Sequence, residues 1–152
     1  MFLVVKDLNK AYGTKENKIN VLKDINFSLE KGSLCTLLGP SGSGKSTLLN
    51  AIGGLEKIDS GSIVINEFEI SNLKQKDLSN FRRKYLGFIF QFYNLIPDLT
   101  VIENIQVGSF IHNNPMDIEK LIKDLGLWEH RNKYPRQLSG GQQQRCAIGR
   151  AL

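Results

Sequence analysis

The sequence predicts an α/β fold with a parallel core sheet, an antiparallel β region and a helical region. Three observations carry this. Ser33–Leu38 is a near-continuous apolar run, as in strands buried on both faces. A glycine-rich loop, Gly39–Gly44, follows it directly, and Lys45–Ile52 then reads as a helix stopped by Gly53 and Gly54. Strand patterns dominate before this unit, and capped helical patterns dominate after it.

Taken in order, Phe2–Val5 reads as a short strand, and Asn9 to Asn20 as a polar, turn-rich stretch. Val21–Leu29 alternates apolar positions at Ile25, Phe27 and Leu29, a half-buried strand pattern. Ser62–Ile65 and Leu86–Phe90 are further short strands, with a helix expected over Ser71–Lys84 between them. Thr100-x-x-Glu103 and Ser139-x-x-Gln142 fit capping boxes, each opening a helix. Asn114–Pro115 opens another, with Pro at the first position and Gly126 closing it. No internal repeat, low-complexity stretch or linker is read. The chain is therefore expected to be one domain, 1–152, with a helical sub-region at about 98–137.

Composition bounds the function classes. The 152 residues suffice for one compact core, and 41% hydrophobic with 23% charged residues excludes a disordered chain, a collagen or a disulfide-stapled mini-protein. The net charge of +5 is spread evenly: residues 1–76 hold ten basic and eight acidic side chains, and residues 77–152 hold ten and seven. No basic arm for nucleic acid stands out. Cys35 and Cys146 lie far apart without nearby histidines, so they read as buried small hydrophobes rather than as a zinc site or a disulfide. No signal peptide is read at the N-terminus, and no stretch approaches the ~18 apolar residues of a membrane span.

Residues 39–46 read GPSGSGKS and fit G-x-x-x-x-G-K-[ST] between an expected strand and an expected helix. Each residue type has a chemical reason. Gly39, Gly42 and Gly44, with Pro40, Ser41 and Ser43 between them, let backbone N–H groups turn toward phosphate oxygens. The helix N-terminus adds unpaired donors and a positive dipole end. Lys45 can reach the β- and γ-phosphates, the Ser46 hydroxyl can ligate Mg²⁺, and Thr47 can support the α-phosphate. The competing reading is a glycine-rich turn with a solvated lysine. A second motif, LSGGQ at 138–142, caps a helix with Ser139 and places Gly140 and Gly141 in its first turn. It makes another exposed helix N-terminus able to meet an anion.

A phosphate loop followed by LSGGQ resembles the ATP-binding cassette (ABC) ATPases, a branch of the P-loop NTPases, and the likeness runs along the whole chain. The resemblance implies MgATP as ligand and a head-to-tail dimer with a second ATP-binding subunit. Ser139, Gly140, Gly141 and Gln142 would act in trans on a nucleotide held by the other phosphate loop. It also implies an adenine-stacking role for Tyr12. Gln91, ending LGFIFQ, would contact Mg²⁺ or the attacking water beside the catalytic Lys45. The stretch FRRKYLGFIFQFYNLIPDLTVIENI is similar to ATPases of lipoprotein-releasing, macrolide-exporting and antimicrobial-peptide-exporting systems. An integral membrane permease partner, a position at the cytoplasmic membrane face and no nucleic acid are then expected.

The family pattern continues with a Walker B strand ending in Asp-Glu, a D-loop and a switch histidine, which do not appear before Leu152. His112 and His130 precede the signature, so neither fits the switch position. This chain alone is expected to be loosely packed and to have little ATPase activity. Two other readings stay open: a soluble ABC ATPase acting on nucleic acid or ribosomes, and a non-catalytic nucleotide-binding fragment. Arg82, Arg83 and Lys84 read as a solvated helix face, Trp128 and Tyr134 as anchors of the helical region, and Arg145 and Arg150 as supports of the signature helix.

Overall fold

The computed structural model describes residues 1–14, 16–110 and 116–152, in two compact units, Met1–Arg82 and Arg83–Leu152. His112 and the expected helix start at Asn114–Pro115 lie outside the described residues.

The first unit is built on a four-stranded sheet. Its strands are β1 (Leu3–Tyr12), β2 (Ile19–Leu29), β3 (Ser60–Ile65) and β4 (Phe68–Glu69), in the order β2-β1-β3-β4. Every pairing is antiparallel. Leu3, Val5 and then Leu8 face the core, so the two-residue period shifts by one at Asp7. Helix α1 (Lys45–Ile52) buries Leu48 and Ala51, and helix α2 (Gln75–Tyr85) buries Phe81. Arg82 is not merely solvated: its guanidinium donates to the Gly54 carbonyl at 2.6 Å and to Ser79 Oγ at 3.0 Å, clamping the turn after α1.

Three expectations are corrected in this unit. The stretch from Asn9 to Asn20 is strand at both ends, since β1 runs on to Tyr12 and β2 begins at Ile19. Lys-Asp-Leu-Asn at 6–9 and Lys-Asp-Ile-Asn at 23–26 occupy the paired strands β1 and β2. The parallel core sheet is not formed among the described residues, because Ser33–Leu38 carries no strand and lies exposed, with Leu34 at 97%. A strand needs a neighbour's ladder of N–H and C=O groups, and no described strand runs beside this segment. Cys35 is exposed with it, contrary to its reading as a buried hydrophobe. In the second unit, Leu86–Phe90 likewise carries no strand.

That second unit is helical. Its helices are α3 (Val101–Ser109), α4 (Ile118–Asp124) and α5 (Gly140–Ala151), with 3-10 turns at Trp128–His130 and Pro135–Gln137 between α4 and α5. Val101, Ile105, Leu121, Ile122, Leu127, Leu138 and Cys146 form the core. Both expected capping boxes are present, at Thr100/Glu103 and Ser139/Gln142, and Asp117 caps α4. Trp128 packs at the edge of this core between two cations, with Lys123 Nζ 4.4 Å and Arg131 Cζ 4.3 Å from its ring centroid. Tyr134, by contrast, is 38% exposed and is no core anchor.

Candidate functional site

The phosphate loop is held by its own lysine. Lys45 Nζ donates to the carbonyls of Gly39 at 2.9 Å and Pro40 at 2.7 Å, with Ser43 Oγ at 3.5 Å. All three ammonium protons are thus directed into the loop, and exchanging these partners for phosphate oxygens leaves the ammonium satisfied. Gly44 is the N-cap of α1 at φ 85°, with no side-chain cap. The first-turn donors of α1 are therefore left to a ligand or to water. Gly44 is also required for space, since a Cβ would come within 2.9 Å of the Val21 carbonyl oxygen on β2. Ser46 is exposed and Thr47 half-buried behind it. Gly42, at φ 80°, has open space around it. Among the described residues no group of three His, Cys, Asp or Glu side chains could hold a metal ion. A magnesium ion would arrive as MgATP, held by phosphate oxygens and the Ser46 hydroxyl, a hard-oxygen set that suits it.

Tyr12 stands at the end of β1, 42% exposed. Lys10 Nζ lies 5.0 Å from its ring centroid. The same ammonium is 2.8 Å from Glu56 Oε1 and donates to the Lys57 carbonyl at 2.6 Å. The hydrogen bond to Glu56 raises the Lys10 pKa above the ordinary lysine value, against a smaller opposing effect of burial.

In the second unit, Gln91 is exposed in a turn. Tyr93 and Asn94, just after it, take left-handed conformations at φ 59° and 45°. Arg150, near the end of α5, holds both: Nη2 donates to the Tyr93 carbonyl at 2.7 Å, and Nη1 to the Asn94 carbonyl. It supports this loop rather than its own helix, which the sequence did not reveal. At the other end of α5, the Ser139 hydroxyl accepts the Gln142 N–H at 3.3 Å, and Gln142 Oε1 accepts the Ser139 N–H at 2.9 Å. Gly140 and Gly141 stay exposed there, with nothing nearer than 3.8 Å to a Cβ built on either. The loop after Gln91 runs along α5 between these two ends: Arg150 holds the Tyr93 carbonyl, while the Tyr93 hydroxyl lies 3.8 Å from a Cβ built on Gly140.

Missed by sequence reasoning was Asn104, fully buried in α3. Its Oδ1 accepts the Ile96 N–H at 2.7 Å, and its Nδ2 donates to the carbonyls of Ile96, Leu99 and Thr100 at 2.9–3.1 Å. Its only sequence signal is an amide four residues after Thr100, inside an otherwise apolar helix face.

The family profile described as ABC transporter matches residues 22–152. The chain belongs to the ABC transporter family. It is 45% identical to the bacitracin export ATP-binding protein BceA of Halalkalibacterium halodurans, an alignment covering 99% of this chain and 61% of the relative. It is 44% identical to the lipoprotein-releasing system ATP-binding protein LolD of Cytophaga hutchinsonii, covering 96% of this chain and 67% of the relative. Among solved structures, it resembles the dimeric ATP-binding cassette MJ0796 in a post-hydrolysis state bound to ADP and Pi. The TM-score is 0.89 at 39% identity, covering 99% of this chain and 68% of that one. The α/β cassette fold class therefore stands, although the parallel sheet is not formed among the described residues. This ABC family chain spans about three-fifths to two-thirds of the length of these relatives. Among the described residues no helix is long and apolar enough to cross a membrane.

Proposed function

We propose that this chain is the ATP-binding part of an ABC transporter subunit that binds MgATP and couples its hydrolysis to transport by an integral membrane permease, as an exporter. The observation that carries this is the phosphate loop itself: an uncapped, glycine-led helix N-terminus beside a lysine already collected onto the loop. The names of the relatives, which export bacitracin or release lipoproteins, support an exporter over a nucleic-acid ATPase. In this reading, residues 39–47 take the phosphates, Lys45 stabilises charge developing on the transferred phosphoryl group, and Ser46 meets the magnesium ion. Gln91 contacts the ion or the attacking water, and Tyr12 stacks on the adenine. Residues 1–152 form one cassette domain whose helical sub-region spans about 98–137. A second subunit, arranged head to tail, brings Ser139, Gly140, Gly141 and Gln142 to the γ-phosphate, and the dimeric cassette neighbour supports that arrangement. The permease holds the complex at the cytoplasmic membrane face.

Isothermal titration of the 152-residue chain with MgATP tests the core of this reading. Saturable binding that Lys45→Ala weakens by about tenfold or more is expected, the equivalent of losing about 1.4 kcal/mol. Absent binding, or binding indifferent to Lys45→Ala, would overturn it.

A further inference from the structure

Four interactions join the end of β1 to the segment that follows α1. Lys10 pairs with Glu56 and donates to the Lys57 carbonyl; the Ala11 N–H donates to Asp59 Oδ2 at 2.7 Å; and the Asp59 N–H donates to the Asn9 carbonyl at 2.9 Å. The helix that presents its N-terminus to phosphates is thereby tied, through its other end, to the strand that presents Tyr12. Within this joint Lys10 does more than pair. Its side chain is 11% exposed, so its ammonium has little freedom, and it lies against the Tyr12 ring.

We propose that Lys10 is a positioning residue for the nucleobase: its ammonium, anchored at Glu56 and Lys57, fixes the Tyr12 ring so that the ring's open face takes a purine while α1 takes the phosphates. The inference rests on reading Tyr12 as the base-stacking residue. The physical basis is preorganisation. A cation over one face holds an aromatic ring with an energy that survives partial exposure. A ring already held loses less rotamer freedom when a base stacks on it. Glu56 holds the ammonium in place, 2.8 Å from its carboxylate, so neutralising Glu56 acts on the ring through Lys10.

The test compares the affinity of the 152-residue chain for MgATP and for magnesium tripolyphosphate, which has the phosphates without the base. Lys10→Met is expected to weaken ATP about three- to fivefold and to leave tripolyphosphate unchanged, with Lys10→Arg restoring most of the loss. Glu56→Gln should shift ATP in the same direction by less. It also serves as the second variant if Lys10→Met lowers the melting temperature. Tyr12→Ala should weaken ATP at least as much, and Lys10→Met should add nothing to it. Equal weakening of both ligands by Lys10→Met would overturn the proposal, because Lys10 would then hold the fold and not the ring. So would an unchanged ATP affinity in Lys10→Met alongside a loss in Tyr12→Ala. If Tyr12→Ala itself leaves ATP unchanged, base stacking at Tyr12 fails, and the inference fails with it.

Discussion

Asn9 and Asn26 close each other's strand bulges. Asn26 Oδ1 accepts the Asp7 N–H at 2.9 Å from across the β1–β2 pair, and Asn9 Oδ1 accepts the Asp24 N–H at 3.0 Å in return. Each amide also donates to the opposite aspartate carboxylate, at 3.2 and 3.0 Å, and to the carbonyl of its own strand's aspartate. Asp7 and Asp24 are both left-handed, at φ 47° and 46°. The repeated Lys-Asp-[Leu/Ile]-Asn is therefore a matched pair of bulges, and it shifts β1 so that Leu8 joins the core. Asn9→Ala and Asn26→Ala should each cost about 1 kcal/mol, a typical net value for such bonds where water replaces part of the loss. Because the two residues share one network, the double variant should depart from additivity by about 0.5 kcal/mol or more. Urea melts of the four proteins check this, and strict additivity would show that the bulges are independent.

That network explains why β1 and β2 were only partly legible. Asp and Asn are turn residues by local preference, so Asn9 to Asn20 read as a turn. Only pairing with a strand about 17 residues away turns the same side chains into ladder substitutes, and pairing is not a local property. Legible features were those whose physics is local. α1 was bounded correctly because a glycine starts it and two glycines stop it, and the capping boxes because they span four residues. The Ser33–Leu38 run was legible as apolar but not as a strand, since apolarity states a preference for burial and a strand needs a neighbour. In the site, the phosphate loop was legible as a motif. Lys10, Asn104 and the Arg150 fork were not, because each acts on residues far from it in sequence or on backbone atoms.

Gly44 and Gly42 make an internal control for the phosphate loop. Their φ angles are nearly equal, at 85° and 80°, but only at Gly44 would a Cβ meet backbone, 2.9 Å from the Val21 oxygen. Gly42→Ala should cost the left-handed strain alone, about 1–2 kcal/mol. Gly44→Ala should cost about 1–2 kcal/mol more and weaken MgATP by a larger factor, because α1 must move off β2. Thermal melts and titration calorimetry on both variants read this. Equal losses would mean that β2 does not brace the loop.

The two cysteines should differ sharply in reactivity. Burial pushes the Cys146 thiol up from 9.0 to about 11, partly opposed by Arg150, while Cys35 is exposed. At pH 8 a thiol-specific disulfide reagent should label one cysteine quickly, and the Cys35→Ser variant should remove that phase. Cys146 should react only on unfolding. The raised pKa also sets a direction for stability. The protonated thiol is favoured in the folded state, so this contribution is whole below pH 9 and is lost as pH rises from about 9 to about 11. Cys146→Ala should flatten that part of the alkaline limb, and an unchanged limb would remove Cys146 as its cause.

Asn104 fixes the segment from Ile96 to Thr100, which follows the loop after Gln91, onto the first turns of α3. All of its polar atoms are used: one acceptor for one N–H, and one amide nitrogen among three carbonyls. Asn104→Leu keeps the volume but takes the partner from the part-buried Ile96 N–H, which should cost about 1–2 kcal/mol. Asn104→Asp makes a sharper test. Its carboxylate would accept the Ile96 N–H but face three carbonyl oxygens with no proton to give, so its neutral form is favoured and its pKa is raised in the folded state. A raised carboxyl pKa means stability that is present at low pH and lost as pH rises through the folded value. Asn104→Asp should therefore lie close to wild type in melts near pH 5 and well below it near pH 7.5, while Asn104→Leu keeps a constant gap. A gap for Asn104→Asp that does not change with pH would show that the three carbonyls do not converge on this side chain.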